Sequence, residues 1–243
     1  MEKLISGAKK LGLPLNSRQL EQFNVYYQEL VDWNQRLNLT TITDYEGVQI
    51  KHFLDSLTIT LAWQQAIAKS HLIDVGTGAG IPGLPLKILL PDIRLVLLDS
   101  IAKKAAFLHH LKQKLGLDDV EIVVGRAEEI AHETRYREKF DVVLSRAVAP
   151  LPTLVELTLP FCTIGGSFIA QKKGAIDPEI SRASQAISIL GGNLRGVERV
   201  NLEEFTDKRW LVIIDKVLPT PQLYPRRPGI PSRRPLLDKQ PKQ

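Results

Sequence analysis

The run Asp74-Val75-Gly76-Thr77-Gly78-Ala79-Gly80-Ile81-Pro82-Gly83 constrains this chain more than any other stretch of its 243 residues. Three glycines at alternate positions let the backbone turn tightly and remove Cβ atoms where a flat or extended ligand must lie against the main chain. The apolar residues 71–75 that lead into it read as a short strand, so the loop is a strand-to-helix turn at the carboxyl edge of a sheet, where open α/β folds bind ligands. Further short β-rich runs at 95–99, 120–124, 141–144, 167–171 and 210–214 alternate with helical stretches. In one of these, 103–115, the residues Ala106, Phe107, Leu108, Leu111 and Leu115 are spaced to face a sheet. Alternating strand and helix predicts an α/β fold, a largely parallel sheet covered on both faces. Only a short polar stretch separates 198–202 from 210–215, which predicts an antiparallel hairpin at the C-terminal end of that sheet.

Upstream of the loop the texture is helical. Leu20, Phe23, Tyr27, Leu30 and Leu37 recur on one helix face, with Asn16 as N-cap and Gln19 completing a capping box. A second helix is expected to bury Val48, Leu54, Leu57 and Leu61. The far end differs again. From Val217 onward there are six basic residues against one acid, so this segment carries the whole formal charge of +5, and the other 216 residues hold 26 charges of each sign. It also holds seven of the fifteen prolines, from which an extended strip with solvated arginines, unable to form a helix, is expected. The chain thus divides into a helical extension (1–69), an α/β core (70–216) and an extended basic, proline-rich tail (217–243). A cationic strip suits a polyanion such as nucleic acid, whereas the bland alternative is a solubilising tail. A single cysteine and five scattered histidines give no spacing for a metal site, and no apolar run reaches the ~20 residues that cross a bilayer. Residues 1–10 carry no apolar signal-like run, so a cytoplasmic protein is expected.

The glycine loop admits two cofactor readings. Gly78, Gly80 and Gly83 satisfy G-x-G-x-x-G, and Asp99 follows at about the distance of a ribose-binding carboxylate, as in dinucleotide sites. Against this, Pro82 has no N–H to offer a pyrophosphate where the helix begins. The register Asp74, Gly76, Gly78, Gly80 instead matches D-x-G-x-G-x-G, the first motif of class I methyltransferases, whose cofactor has no phosphate.

Other segments extend that match. The run Leu98-Asp99-Ser100-Ile101-Ala102-Lys103-Lys104-Ala105-Ala106-Phe107-Leu108, the turn Gly125-Arg126-Ala127-Glu128 and the strand end Phe140-Asp141-Val142-Val143-Leu144-Ser145-Arg146-Ala147 join it downstream. Upstream stand Trp33-Asn34, Asn38-Leu39-Thr40 and His52-Phe53-Leu54-Asp55-Ser56-Leu57, and near the end Tyr224-Pro225-Arg226-Arg227-Pro228-Gly229-Ile230-Pro231. Taken together, from about residue 20 onward, the chain resembles the bacterial 16S ribosomal RNA guanine-N7 methyltransferases of the glucose-inhibited division protein B family. A departure is Lys104-Ala105, where members often have Lys-Arg.

The resemblance implies a class I, Rossmann-like enzyme that uses S-adenosylmethionine to methylate N7 of a guanine in 16S rRNA, as the RNA or in the 30S subunit; a monomer is expected. It places Gly76, Gly78, Gly80 and Ile81 along the methionine and ribose side of the cofactor. Asp99 and Ser100 fall at the ribose, Ala127 and Glu128 at the adenine edge. Arg146 falls at the mouth where the methyl is delivered, with a positioning role and no general base. Lys103, Lys172, Lys173, Tyr224, Arg226, Arg227, Arg233 and Arg234 are the expected RNA contacts. His52, Asp55 and Ser56 suggest a hydrolytic triad by type, but no strand-to-helix elbow presents Ser56, and the resemblance puts this face beside the mouth. A nicotinamide-dependent oxidoreductase, a non-enzymatic RNA-binding module, and a methyltransferase of another RNA or a small molecule are the competing readings.

Overall fold

The computed structural model describes residues 1–62 and 70–237. In chain order the elements are α1 (Glu2–Lys10), α2 (Ser17–Leu37), α3 (Tyr45–Val48), a π-helical turn (Gln49–Leu54), α4 (Asp55–Leu57), a 3-10 turn (Thr58–Ala62), β1 (His71–Val75), α5 (Gly83–Leu89), β2 (Arg94–Asp99) and α6 (Ala102–Leu115). Then come β3 (Val120–Val124), α7 (Ala127–Ile130), β4 (Phe140–Arg146), α8 (Leu151–Thr158), a 3-10 turn (Leu159–Phe161), β5 (Cys162–Lys173), α9 (Asp177–Ile189), β6 (Gly192–Val200), β7 (Arg209–Lys216) and α10 (Ile230–Arg233).

Among the described residues the strands form one seven-stranded sheet in the order β3-β2-β1-β4-β5-β7-β6. The first five run parallel, and β7 pairs antiparallel with both β5 and β6, so the expected C-terminal hairpin is present. Its first strand is Gly192–Val200, earlier in the chain than the 198–202 expected. Strand order reverses between β1 and β4, which opens a crevice at their carboxyl ends.

Strand side chains alternate between two apolar layers, as period-two pleating requires. Leu72, Leu95, Leu97, Val142, Leu144, Ile169 and Ile213 join one cluster, with α2, α5, α6 and the N-terminal helices. Ile73, Val75, Val96, Leu98, Val143, Phe168, Ala170 and Val212 join the other, with α8 and α9. The N-terminal helices therefore share an apolar layer with the sheet. The boundary expected at residue 69 lies outside the described residues.

The capping box is formed: Gln19 N donates to Asn16 Oδ1 at 2.9 Å and Asn16 N to Gln19 Oε1 at 3.0 Å. The second expected helix is broken into α3, the π turn, α4 and the 3-10 turn. Val48, Leu54 and Leu57 are buried as expected, but Leu61 is exposed, because each change of helical pitch rotates the buried face. On α6 the buried small residue is Ala105, and Ala106 faces solvent.

The tail requires the largest correction. Residues 217–237 do not run as a free strip. Arg137 donates to the carbonyls of Tyr224 (2.9 Å) and Thr220 (2.9 Å), His132 Nε2 lies 2.8 Å from Pro225 O, and Thr153 Oγ1 donates to Pro231 O at 3.2 Å. Prolines remove backbone donors but leave carbonyls, and side chains of the core satisfy these. A short helix forms despite Pro231, which occupies its first turn, where a missing N–H costs nothing. Asp238, Lys239 and Lys242 lie outside the described residues.

Candidate functional site: the carboxyl edge of the sheet

Asp74, at the end of β1, is fully buried and organises the glycine loop. Its Oδ2 accepts Thr77 Oγ1 at 2.7 Å and the Gly83 amide at 2.9 Å, whereas Oδ1 is buried without a hydrogen-bond partner. Burial raises this carboxyl to about 6, against the two hydrogen bonds that favour the charged form. Gly76, Gly78 and Gly80 all have positive φ. A Cβ on Gly76 would lie 2.4 Å from Val148, so the chain after β4 folds directly onto the loop. From the N-terminal helices, the buried Tyr26 hydroxyl donates to Ala79 O at 2.6 Å.

The geometry answers the question of a phosphate. Pro82 has no amide hydrogen, the Gly83 amide is held by Asp74, and the Leu84 amide bonds Gly80 O at 2.7 Å. The start of α5 therefore has its leading donors used internally and offers a pyrophosphate little to bind. A sulfonium cofactor without phosphate fits this loop, and a dinucleotide does not.

Asp99 closes β2 with Oδ2 on the Gly78 amide and Oδ1 on the Ile101 amide, both at 2.9 Å; Lys104 Nζ stands 3.8 Å away. Each oxygen keeps a second acceptor direction. Ser100 is exposed beside it. Ile81 is buried in the core cluster, and its amide bonds Thr77 O, so its side chain supports the loop from behind. After β3, Ala127 is half-buried and Glu128 buried, with Oε1 accepting Arg126 Nη2 (3.3 Å) and the Gly229 amide (3.0 Å).

Arg146, the last residue of β4, is turned toward the N-terminal helices. Nη1 donates to Lys51 O (2.8 Å) and Asp55 Oδ2 (2.9 Å), and Nη2 lies 3.2 Å from His52 Nδ1. Nδ1 also lies 3.1 Å from Lys51 O, and Nε2 lies 2.8 Å from Thr40 Oγ1. Burial, reinforced by the Arg146 charge, holds His52 down to about 4 and thus neutral. His52 and Asp55 thus both serve Arg146. Ser56 Oγ donates to His52 O and is spent within its own turn. Ala147, next in the chain, has φ +57, a left-handed conformation that is costly for a residue with a Cβ and is found where a site over-determines its backbone.

Two participants escaped sequence reasoning. Arg209 of β7, only 3% exposed, brings Nη1 to 2.8 Å from Asp55 Oδ1, near enough for an ion pair although off-axis for a hydrogen bond. Asp55 thereby holds a guanidinium on each oxygen. Glu156 of α8, fully buried, receives Arg226. Neither carries a local sequence signal, since each is identified only by a partner far along the chain.

The expected RNA contacts separate into two groups. Lys172 Nζ is committed to Glu179 (2.7 Å) and Ala149 O (2.9 Å), Arg226 to Glu156, and Tyr224 packs against the second apolar cluster. Lys103, Arg227, Arg233 and Arg234 are exposed, and Lys173 is half exposed, 3.9 Å from Asp207.

Comparison with known proteins decides the family. The family described as rRNA small subunit methyltransferase G, GidB, matches residues 19–207. The chain belongs to the GidB family. Relatives named ribosomal RNA small subunit methyltransferase G include one from Dehalococcoides mccartyi, 54% identical over 98% of this chain and all of the relative, and one from Roseiflexus castenholzii, 51% identical over 98% of the chain and all of the relative. Among solved structures, a mutant of MtNAS in complex with S-adenosylmethionine superposes with TM-score 0.55 at 15% identity, covering 88% of this chain and 77% of that one. A ribosomal protein L11 methylase from Lactobacillus delbrueckii subsp. bulgaricus gives 0.52 at 16% identity, covering 73% and 81%. The GidB-family chain thus has the class I methyltransferase fold, with the glycine loop, Asp99, Glu128 and Arg146 at the ends of β1 to β4. No described helix is long and apolar enough to cross a membrane.

Proposed function

We propose that this protein transfers a methyl group from S-adenosylmethionine to N7 of a guanine in 16S rRNA. Membership of the GidB family carries the reading, and the loop in which Asp74 and Pro82 leave no seat for a pyrophosphate supports it. When bound, the cofactor supplies an electrophilic methyl on a sulfonium sulfur. Asp99 turns its remaining acceptor positions to the ribose hydroxyls, Gly76, Gly78 and Gly80 lay bare backbone along the cofactor, and Glu128 with Ala127 bounds the adenine side.

Guanine N7 carries an in-plane lone pair in the neutral base, so the protein has no proton to remove and its task is alignment. Arg146 suits that task, because Asp55, Lys51 O and His52 fix the guanidinium plane before substrate arrives. A neutral His52 adds no second positive charge beside it. Exposed Lys103, Lys173, Arg227, Arg233 and Arg234 present the cations that meet RNA phosphates, and the protein works in the cytoplasm as a monomer.

The test is incubation with methyl-labelled S-adenosylmethionine and 30S subunits that lack the endogenous modification, in parallel with naked 16S rRNA, followed by mapping of the labelled base. Label at guanine N7 is expected. Label on an exocyclic amine, or saturable NAD binding without a response to S-adenosylhomocysteine, would overturn the proposal.

A further inference from the structure

The Gly229 amide donates to Glu128 Oε1 at 3.0 Å, so a residue of the C-terminal segment sits directly on a carboxylate of α7, the turn that follows β3. This contact depends on backbone conformation: Gly229 has φ +79 and is the residue from which the chain turns into α10. The segment around it is anchored by a charged fork. Arg226 Nε lies 2.9 Å from Glu156 Oε1 and Nη2 lies 2.6 Å from Oε2, while the Arg226 backbone amide donates to the same Oε1 at 2.8 Å. Glu156 is fully buried on α8, and a carboxylate there persists only when its oxygens are fully paired. Arg226 Nη2 also bonds Arg234 O at 2.7 Å, which ties the two ends of the segment together. The neighbouring Arg227, Arg233 and Arg234 side chains are exposed, Arg233 while donating Nε to Gly229 O at 3.2 Å, so one short stretch has an inward arginine and an outward cationic face.

We propose that residues 224–234 form one wall of the cofactor pocket, and that Arg226, through its fork onto Glu156, is a positioning residue that sets Gly229 and hence Glu128 for the cofactor. The proposal rests on the assignment of Glu128 to the adenine side made above. Glu128 is also approached by Arg126, half exposed and 3.3 Å away. The amide of Gly229 is the contact that fixes the carboxylate from the tail side. The extended, solvated strip expected from the sequence is replaced by a segment whose loss reaches the cofactor site.

Hydrogen–deuterium exchange of the full-length protein with and without saturating S-adenosylhomocysteine tests this without any substitution. The expected result is that amides of 224–234 slow by ~10-fold or more together with those of α7 and the glycine loop. Slowing confined to α7 and the glycine loop overturns the wall. No slowing at any of the three overturns the underlying cofactor assignment and the inference with it, a distinguishable failure. In parallel, Arg226→Gln should raise the Kd for S-adenosylhomocysteine and the KM for S-adenosylmethionine by ~10-fold with kcat within about twofold of the parent, Arg226→Lys should recover part of that loss, and Arg199→Ala, at an exposed position on β6, should leave the Kd unchanged. If Arg226→Gln does not fold, Arg226→Lys, which keeps the charge but not the fork, and the exchange data decide. An unchanged Kd in the folded Arg226 variants overturns the proposal.

Discussion

Burial moves His52 and Asp74 in opposite senses, and both sit in the candidate site. His52 is held down to about 4, so as pH falls from ~6.5 the unfolded chain takes up a proton that the native state refuses. Its contribution to stability is full above ~6.5 and lost as pH falls through about 4. Asp74 is raised to about 6 from 3.8, so its contribution is full below 3.8 and lost as pH rises through about 6. Each amounts to about 3 kcal/mol at most, so the two nearly cancel in the parent protein. Relative to the parent, His52→Gln should gain stability as pH falls from ~6.5 to ~4, and Asp74→Asn should gain as pH rises across ~4 to ~6. Urea unfolding of the three proteins across that range checks this, and parallel profiles would contradict it. Asp55 invites a sharper contrast. Arg146→Ala leaves Asp55 still paired with Arg209 and should cost about 1 to 2 kcal/mol of stability while nearly abolishing turnover. Asp55→Asn leaves the partly buried Arg146 without a carboxylate and Arg209 with Asp207 alone, and should cost more, about 3 kcal/mol. Denaturation midpoints beside single-turnover rates read both, and Arg146→Lys should rescue poorly because one ammonium cannot reproduce a planar fork held at three points.

At the scale of elements, the N-terminal helices are part of the candidate site. The α2 helix delivers the Tyr26 hydroxyl to Ala79 O, and the broken helical segment after it delivers Lys51 O, His52 and Asp55 to Arg146. Lys51 and His52 lie in the π turn at Gln49–Leu54 and Asp55 opens the α-helical turn that follows it. Tyr26→Phe keeps the ring packed against Phe53 and removes only the hydroxyl. It strands a carbonyl of the glycine loop, so a stability loss of about 1 to 2 kcal/mol is expected, with cofactor affinity weakened ~3- to 10-fold. A thermal melt and a titration with S-adenosylhomocysteine check the two separately. Unchanged affinity in a destabilised variant would mean that α2 supports the sheet without shaping the loop.

For the whole molecule, charge is distributed unevenly. The first 216 residues are formally neutral, so the proposed RNA binding should draw its long-range attraction mainly from the C-terminal segment. The structure divides that segment's cations, with Arg226 locked inward and Arg227, Arg233 and Arg234 exposed. Replacing the three exposed arginines together by alanine should weaken binding to 16S rRNA and reduce the slope of log K against log salt by ~2, at ~0.7 for each contact with single-stranded RNA. Binding measured at several salt concentrations tests this, and an unaltered slope would reassign the segment wholly to the cofactor wall.

Features written in local order were legible from the chain alone. Alternating strand and helix, the capping box at Asn16, the glycine loop and the acid ending β2 all depend on residues close in sequence, where backbone geometry and pleat periodicity act directly. Composition also marked the tail as basic and proline-rich, but composition does not name partners. Arg146 and Asp55 are 91 residues apart, Arg226 and Glu156 are 70 apart, and Gly229 and Glu128 are 101 apart. An arginine announces that it needs an acceptor, yet which carboxylate it meets is set by the packing of helices onto two faces of a sheet. Tertiary structure alone therefore decided that Arg146 is braced by the N-terminal helices, that Ile81 faces the core, and that the tail is bound to the body, because buried charges and proline-freed carbonyls take the partners that the folded layers place beside them.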